Sequence, residues 1–277
     1  MTPDEYCQQK AAASGSSFYY SFLFLPTERR RAITALYAFC REVDDVVDES
    51  SDPQLAATKL AWWRQEVSAM YAGNPHHPVT RALAPHLKSF ALEEKNLQEI
   101  ISGMEMDLTQ TRYLDWKGLE RYCYHVAGVV GLLAARIFGF TQPRTLDYAR
   151  ALGIAFQLTN IIRDVGEDAR KNRIYLPVED LRKFGVPAAE ILGLKQSEAF
   201  TKLMQFQAER ARAYYEEAFR ALPPVDRKTQ RPGLIMAAIY RTLLDEIERD
   251  GFAVLHRRTS LTPLRKFWIA WKTWVSG

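Results

Sequence analysis

Cysteine is scarce in this chain, with only Cys7, Cys40 and Cys123 among 277 residues. Their spacing contains no Cys-x-x-Cys pair, which argues against a disulfide framework and against a structural zinc site. Cys40 and Cys123 fall in apolar helical patterns, where a free cysteine behaves as a small hydrophobic residue. The thiols are therefore predicted to be structural.

Long apolar runs are also missing, although 47% of the residues are hydrophobic. No stretch reaches the roughly 18 apolar residues of a membrane span, so no transmembrane helix is predicted. The first residues include Asp4 and Glu5 and no apolar segment, so we expect no signal peptide and a cytoplasmic location. The net charge of +4 is modest, and the basic residues are spread without a recognisable motif. Nucleic acid is therefore not an expected partner.

No convincing strand pattern, internal repeat or low-complexity linker is present, whereas apolar residues recur at helical spacing along most of the chain. Helices are predicted at 27–50, 55–71, 78–90, 93–113, 116–140, 145–169, 179–184, 187–192, 196–222 and 231–249. Long helices with short loops are typical of an antiparallel bundle, which builds its ligand sites from inward-pointing side chains. We therefore predict an all-α, single-domain bundle over residues 1–262 with a central cavity, followed by an amphipathic helix at 263–277.

One predicted helix carries a stripe of oxygen-bearing side chains beside an apolar face. Four polar residues align on this face, since residues three and four apart are neighbours on a helix. They are Gln157, Asn160, Asp164 and Asp168. Like charges at this spacing weaken a helix by a few tenths of a kcal/mol. Their presence therefore indicates that a cation lies beside them.

A second stripe comes earlier, where Arg41, Asp44 and Asp48 share one helix face. We expect the two stripes to face each other across the cavity. Neither contains histidine or cysteine, which disfavours zinc and copper. Mg²⁺ binds through one or two carboxylates together with substrate phosphates, so a small Mg²⁺ cluster around a diphosphate is predicted. The alternative is that these acids are solvated surface charges. The presence of two such stripes, each on a largely apolar helix, disfavours that alternative.

Basic and aromatic residues supply candidate substrate contacts. Arginine can donate two parallel hydrogen bonds to a phosphate, and Arg41 and Arg173 are the strongest candidates. Arg163, which flanks Asp164, is a further candidate. Ordinary ion pairing with neighbouring acids is the alternative for each. Aromatic rings such as those of Phe18 and Tyr240 would shield a carbocation through their faces or simply form core.

A third segment, residues 122–131, places two glycines inside an apolar helix. Each glycine costs about 1 kcal/mol relative to alanine. Gly128 and Gly131 therefore indicate close packing, a kink or room for a long apolar ligand. Tyr122 and Val126 would lie on one wall of that space.

These motifs resemble the squalene/phytoene synthase family, head-to-head condensing enzymes of isoprenoid metabolism, from Ser14 to about Arg257. The matching segments are Asp44-Asp45-Val46-Val47-Asp48, Tyr122-Cys123-Tyr124-His125-Val126-Ala127-Gly128, Gln157-Leu158-Thr159-Asn160-Ile161-Ile162-Arg163-Asp164 and Arg173-Ile174-Tyr175-Leu176-Pro177. Within the family, the run at residues 14–20 most resembles bacterial presqualene diphosphate synthases of hopanoid pathways.

The resemblance implies the isoprenoid synthase type of fold, dependence on Mg²⁺ and farnesyl diphosphate as substrate. The metal or metal–diphosphate ligands that it implies are Asp44, Asp48, Asn160, Asp164 and Asp168. The substrate contacts that it implies are Ser17, Arg41, Gln157, Arg163, Tyr240 and Arg257, beside the candidates Phe18, Val126 and Arg173. Tyr122 matches the family's active-site tyrosine and joins Asp44, Asp48 and Asp164 as the predicted catalytic set.

The reaction expected from the resemblance condenses two farnesyl diphosphates to presqualene diphosphate, without NADPH. The proton would leave to Tyr122 or to the released diphosphate. Phytoene, dehydrosqualene and full squalene synthases are alternatives within the family, and the last would need a nicotinamide reductant. The Asp-Asp-x-x-Asp spelling also occurs in head-to-tail synthases and terpene cyclases, but chain elongators normally carry it twice.

An alternative of another class is a non-catalytic helical membrane-binding or scaffold protein. The C-terminal segment suggests it, through an apolar arc made of Leu264, Phe267, Trp268, Trp271, Trp274 and Val275. Arg265 and Lys272 lie on a separate arc, a pattern typical of interfacial helices. A helix packed on the body of the protein is the other interpretation. Peripheral membrane association, and contact with downstream pathway enzymes, are therefore further expectations.

Overall fold

A computed structural model describes residues 1–13, 21–22, 24–50 and 52–276. The helices, numbered over these residues, are α1 (Pro3–Ala13), α2 (Thr27–Asp48), α3 (Pro53–Tyr71), α4 (Pro78–Leu83), α5 (Glu94–Thr109), α6 (Trp116–Cys123), α7 (Val129–Phe138), α8 (Thr145–Arg170), α9 (Val178–Phe184), α10 (Ala188–Leu192), α11 (Glu198–Ala221), α12 (Arg231–Arg249) and α13 (Pro263–Ser276). Over these ranges no strand occurs, and an isolated bridge joins Arg112 to Ile174. The predicted all-α class is confirmed.

The helix boundaries differ from the predicted ones mainly at the ends. The helix predicted at 78–90 stops at Leu83 and continues as a short 3-10 turn. The helix predicted at 116–140 is interrupted by a π-helix over Tyr124–Gly128. The α1 helix was not predicted, because only Cys7 and Ala11 of its residues are buried and it has almost no amphipathic pattern.

Helix α2 shows how the sequence directs the packing. Its buried face consists of Ala32, Ile33, Ala35, Leu36, Ala38, Phe39, Val43 and Val47, which recur at helical spacing. Helix α3 begins at Pro53, where the missing N–H costs nothing, and the Asp52 carboxylate accepts the Gln54 N–H at 2.8 Å. Local signals of this kind fix where each helix starts and which face turns inward.

Helix α8 is the longest helix and lies at the centre of the bundle, packed against α7, α11 and α12. A Cβ atom on Gly131 would lie 2.3 Å from the Ala149 carbonyl oxygen, and one on Gly153 would lie 2.3 Å from the Ala127 carbonyl oxygen. The backbones of α8 and its neighbour therefore touch directly, which only glycine allows. The structure shows close packing at Gly131, and the same glycine also lines a cavity.

Two hydrophobic clusters flank a cavity. One cluster is built around α8, α11 and α12, and the other around α2, α3, α5 and α7. Tyr124 and Val126, both in the π-helix, pack against both clusters. The π-helix therefore lies at the junction where the central cavity opens between the two parts of the core.

Helix α13 packs along α12, with Ala270 fully buried and Trp274 stacked on Phe24 at 4.9 Å between ring centroids. Other apolar side chains of α13 remain exposed, including Trp268 at 58% and Trp271 at 44%. No helix in the described part of the chain has both the length and the hydropathy that a membrane span requires.

Candidate active site

The cavity has an empty volume of about 930 Å³, counting the space open to solvent. Polar side chains gather toward one end, where Tyr37, Gln157, Asn160 and Tyr240 line the wall. The remainder is lined mostly by apolar residues of α2, α7, α8 and α12, together with the predicted wall residue Val126. The cavity thus suits a long apolar chain with a polar head.

The two acidic stripes continue from this polar end. Asp44 follows the lining residue Cys40 by one turn of α2, and Asp164 follows Asn160 by one turn of α8. Lys171, just after α8, places its Nζ atom 3.3 Å from the Asp48 carboxylate. The C-terminal ends of α2 and α8 therefore meet, and the structure brings the two stripes together at one end of the cavity.

The predicted phosphate-binding arginines are paired with acids in this structure. Arg41 donates to Asp44 at 2.6 Å and to Asp45 at 2.5 Å, and Arg163 donates through Nε to Asp164 at 2.7 Å. Burial opposes the charged form of Asp164, but hydrogen bonds from Arg163 and from a second arginine lower the pKa of its carboxyl below the ordinary value. In this structure the guanidinium groups of Arg41 and Arg163 are therefore occupied by carboxylates.

Two carboxyl groups of the stripes are poorly compensated. Burial, and then the charge of Asp164, raise the pKa of Asp168 to about 7, and burial raises the pKa of Asp44 to about 6 despite the nearby Arg41. Among the described residues, the Asp168 carboxylate has no hydrogen-bond donor. The carboxyls therefore lie where an additional cation would relieve their repulsion.

The donor set fits Mg²⁺ held jointly with a substrate. The buried amide oxygen of Asn160, in the middle of the α8 stripe, has no hydrogen-bond partner within the described residues. A hard oxygen acceptor of this kind, flanked by carboxylates, suits Mg²⁺ rather than a softer metal. In the part of the chain that the structure describes, no three acidic, histidine or cysteine side chains converge on one point. A cation here would therefore complete its coordination with phosphate oxygens and water, as Mg²⁺ commonly does.

Asp107, on α5, is a central residue of the site that the sequence reasoning missed. Its carboxylate is buried and accepts hydrogen bonds of 2.8 Å from both Tyr122 and Tyr175. Burial raises its pKa to about 6, although the two tyrosine hydroxyls oppose the rise. Its negative charge also contributes to the raised pKa values of Asp44 and Asp168. Asp107 therefore lies close to both stripes and adds to the negative field between them.

Tyr122 acts in this structure as a hydrogen-bond donor to Asp107. Burial, followed by the charge of Asp107, raises the pKa of its hydroxyl well above the ordinary value. The ring packs against Tyr113 and Tyr175, with centroids 5.4 Å and 5.2 Å away. A hydroxyl with this surrounding keeps its proton, so its placement favours a positioning or donor role over that of a base.

The predicted substrate contact Arg257 and its neighbour Arg258 have different partners in this structure. Arg257 is exposed and pairs with Asp250 on the surface, away from the stripes. Its neighbour Arg258 instead donates from Nε to Asp164 at 2.8 Å and lies 3.3 Å from Glu167. The segment is an irregular loop, where no helical period fixes which side chain turns inward.

The structure places only some of the other expected substrate contacts. Arg173 lies 3.9 Å from Asp48 and within 3.5 Å of the Asp107 carbonyl oxygen, so it joins the rim of the site. Ser17 and Phe18 lie outside the described residues. The aromatic Tyr240 lines the polar end of the cavity, 4.8 Å from the ring of Phe156.

An all-α bundle with an apolar cavity beneath two facing acidic stripes is the architecture of the isoprenoid synthase fold. The squalene/phytoene synthase family matches residues 11–265, and the chain belongs to this family. Its members are prenyltransferases of the head-to-head condensing type.

Similar proteins carry several different names within the family. A phytoene synthase of Arthrospira platensis is 37% identical over 95% of this chain and 89% of its own length. A 15-cis-phytoene synthase of Synechocystis is 36% identical over 96% of this chain and 84% of its own length. Among solved structures, a dehydrosqualene synthase has a TM-score of 0.86 at 28% identity, covering 98% of this chain and 95% of that one. The squalene synthase HpnC of Alicyclobacillus acidocaldarius has a TM-score of 0.79 at 27% identity, covering 90% and 94%.

Proposed function

We propose that this protein condenses two molecules of farnesyl diphosphate to presqualene diphosphate, with Mg²⁺ as the metal. The observation that carries the proposal is the meeting of two carboxylate stripes at the polar end of one apolar cavity. Such an arrangement holds a charged head at one end and an extended hydrocarbon chain in the other. In the proposed reaction the second diphosphate would lie beside the first at the same polar end.

The residues of the rim would bind and activate the diphosphate. Asp44, Asp48, Asp164 and Asp168, with Asn160, supply the oxygen ligands that would hold Mg²⁺. When bound, Mg²⁺ neutralises diphosphate oxygens and so makes the group easier to expel. Arg41 and Arg163 would turn from their carboxylate partners to the phosphate oxygens, to which arginine binds in bidentate fashion.

The apolar cavity would protect the reactive intermediate. Loss of diphosphate breaks a carbon–oxygen bond and leaves an allylic cation, which water would quench in an open site. The double bond of the second farnesyl diphosphate then attacks the cation, a proton leaves, and a cyclopropane ring closes. Because the Tyr122 hydroxyl is held protonated by burial and by Asp107, the departing diphosphate is the better acceptor for that proton.

The second candidate is the corresponding condensation of geranylgeranyl diphosphate toward phytoene. It is favoured by the names of the sequence relatives, phytoene synthases of 36–37% identity. The farnesyl reaction is favoured by the names of the structural neighbours, a dehydrosqualene synthase and a squalene synthase. Because presqualene diphosphate forms without reduction, no NADPH is required for the proposed product.

Product analysis separates these candidates. Purified protein is incubated with Mg²⁺ and either farnesyl or geranylgeranyl diphosphate, with and without NADPH, and the products are identified by mass spectrometry. We expect presqualene diphosphate from farnesyl diphosphate, in a yield that NADPH does not change. Preferred turnover of geranylgeranyl diphosphate would transfer the proposal to phytoene synthesis, and NADPH-dependent squalene would make it a full squalene synthase. A folded Asp44→Ala variant with undiminished turnover would contradict the catalytic assignment.

We further propose that α13 docks on an anionic membrane surface. Exposed apolar side chains lie along it, including Leu264 at 83% and Trp268 at 58% exposure. The chain beyond Asp250 contains no acidic residue but carries Arg265, Lys266 and Lys272. Apolar rings beside basic side chains fit the boundary of an anionic bilayer. The expected cytoplasmic location remains a prediction.

Liposome co-sedimentation tests this docking. Replacing Trp268 and Trp271 by serine should weaken binding to anionic vesicles severalfold and leave binding to neutral vesicles low. Trp62→Ser is the matched control, because Trp62 is 44% exposed, like Trp271, but lies on α3. The double variant and a chain truncated after Thr262 are each compared with the wild type. If either binds anionic vesicles as well as the wild type does, α13 only packs on the body of the protein.

A further inference from the structure

The end of the cavity opposite the carboxylates is closed by residues from four helices. Ile33, Phe138, Tyr148 and Gln230 line this end from α2, α7, α8 and the start of α12. Phe22 adds a ring that lies 6.5 Å from that of Phe138. The Gln230 side chain is fixed by hydrogen bonds to the carbonyl oxygens of Ala135 and Gly139. The closed end is therefore a defined floor.

Tyr148 spans the floor from α8 to α12. It is 1% exposed, and its hydroxyl is buried without a hydrogen-bond partner among the described residues. A Cβ atom on Gly233 would lie 2.6 Å from that hydroxyl oxygen, so the hydroxyl reaches the backbone of α12 at a position where only glycine leaves room. A buried hydroxyl without a partner is unfavourable, and phenylalanine would avoid the cost. The Tyr148 side chain therefore fills the gap between α8 and α12, with its ring facing the cavity lining and its hydroxyl against Gly233.

The position of Tyr148 matches the length at which prenyl chains differ. Twelve residues of α8 separate Asn160, at the polar end, from Tyr148, which corresponds to about 18 Å at about 1.5 Å per residue. An extended peptide advances about 3.5 Å per residue, which is about 1.2 Å per backbone bond. At the same advance per bond, a farnesyl chain spans about 14 Å and a geranylgeranyl chain about 19 Å. The shorter chain ends before the tyrosine ring, and the longer one meets it.

We infer that Tyr148 is the residue that sets the chain length of the substrate, by closing the cavity between α8 and α12 against chains longer than farnesyl. This inference rests on the proposed function, because it concerns the cavity in which the prenyl chain would lie. The residue contacts the far end of the chain and not the reacting atoms, so it determines specificity and has no catalytic role.

The test compares four folded variants by their preference between two diphosphates. Tyr148→Ala and Tyr148→Leu should raise the ratio of kcat/KM for geranylgeranyl over farnesyl diphosphate by about tenfold or more, the low end of the discrimination that about one methylene group carries. Tyr148→Phe retains the ring and should change the ratio by less than about threefold on the same scale. Tyr215→Ala is the matched control, because Tyr215 is equally buried but does not line the cavity.

Circular dichroism and thermal melting establish that each variant is folded. Tyr148→Leu keeps more of the buried volume and is the variant to compare if Tyr148→Ala fails to fold. A folded Tyr148→Leu protein with the wild-type ratio would overturn the inference, and so would an equal shift in Tyr215→Ala.

Binding measurements separate this inference from the proposed reaction. Calorimetry with the thiodiphosphate analogues of farnesol and geranylgeraniol reports chain length without turnover. If the wild type condenses neither diphosphate, the proposed function fails. Tighter binding of the longer analogue by Tyr148→Leu than by the wild type would still support the inference that Tyr148 limits chain length. If Tyr148→Ala and Tyr148→Leu bind the two analogues with the relative affinities of the wild type, the inference about Tyr148 is contradicted. This holds even if the enzyme makes the expected product.

Discussion

The two ends of helix α8 differ in how well the protein compensates the charge of a nearby carboxylate. Near its first residue, Asp226 is 1% exposed, and its oxygens accept hydrogen bonds from the Thr145 hydroxyl at 2.6 Å and from both the amide and the hydroxyl of Thr141 at 2.8 Å. A further bond comes from the Gln142 amide. Although burial opposes the charged form, these bonds lower the pKa of Asp226 to about 2. Near the last residue, Asp168 has a pKa raised to about 7.

This contrast separates what holds the fold together from what the fold presents to a ligand. The Asp226 carboxylate ties the start of α8 to the 3-10 turn Pro224–Asp226 and is satisfied within the protein. Asp168 is left with like-charged neighbours, a state that lowers stability unless a cation arrives. The repulsion is therefore concentrated at the end of the helix where the proposed metal and diphosphate would bind.

The largest expected effect is the loss of activity on changing Asp168. Asp168→Asn should lower kcat about a hundredfold or more, the scale of removing one preorganised electrostatic contact at a reacting group. In buffer without divalent cations the variant should melt no lower than the wild type, because a repulsive charge has been removed. Steady-state kinetics and thermal melting measure the two effects, and a variant that melts markedly lower would contradict this assignment.

Asp226→Asn should show the reverse pattern. We expect a loss of about 3 kcal/mol in the free energy of unfolding, because charge-assisted hydrogen bonds to buried donors are lost or weakened. Urea denaturation measures this loss. At a temperature where the variant is fully folded, its turnover should stay within a few-fold of wild type, and a large loss of turnover would break the comparison.

The pH dependence of stability should have opposite signs at the two ends. Asp226, with a lowered pKa, contributes stability above its unfolded value of about 3.9, and that stability is lost as the pH falls toward about 2. Asp168, with a raised pKa, is destabilising above about pH 7, and the penalty disappears as the pH falls to about 4. In the presence of a chelator, the advantage of Asp168→Asn over wild type should grow from pH 4 to 7. A flat difference over that range would refute this account of Asp168.

The smallest expected effect distinguishes two adjacent arginines. Arg258→Met should raise KM for the diphosphate about threefold to fivefold, the scale of an exposed charge contact, because Arg258 lies at Asp164. Arg257→Met should leave KM within about twofold, because Arg257 pairs on the surface with Asp250. Equal effects of the two substitutions would contradict this distinction between Arg257 and Arg258.

Helical periodicity explains which residues of this site could be predicted from the sequence. The stripes on α2 and α8 could be read because their spacing puts Asp44 beside Asp48 and Asp164 beside Asp168 on regular helices. Asp107 has no acidic residue three or four positions away on α5, so it matched no stripe. It falls at helical spacing with the apolar residues Ile100 and Met104. An acid on the apolar face of a helix was the available signal, because such a charge requires partners when it is buried.

Other features depended on structure that has no sequence period. The π-helix at Tyr124–Gly128 has the composition of an α-helix, so residue types did not reveal it. The choice between Arg257 and Arg258 was made in a loop, where backbone geometry alone decides which side chain faces Asp164. The length of the cavity follows from how α8 and α12 approach at Tyr148 and Gly233, which are 85 positions apart in the sequence.

The measurement that tests the central claim most directly is thermal stabilisation by Mg²⁺ with inorganic diphosphate. Ligands at about 100 times their dissociation constant should stabilise the folded wild type by about 2.7 kcal/mol and raise its melting temperature accordingly. Asp226→Asn should gain the same increment from a lower starting point, whereas Asp168→Asn should lose most of it. No stabilisation of the wild type, or an undiminished increment in Asp168→Asn, would contradict the claim that the carboxylate end of α8 is built to hold a metal–diphosphate complex.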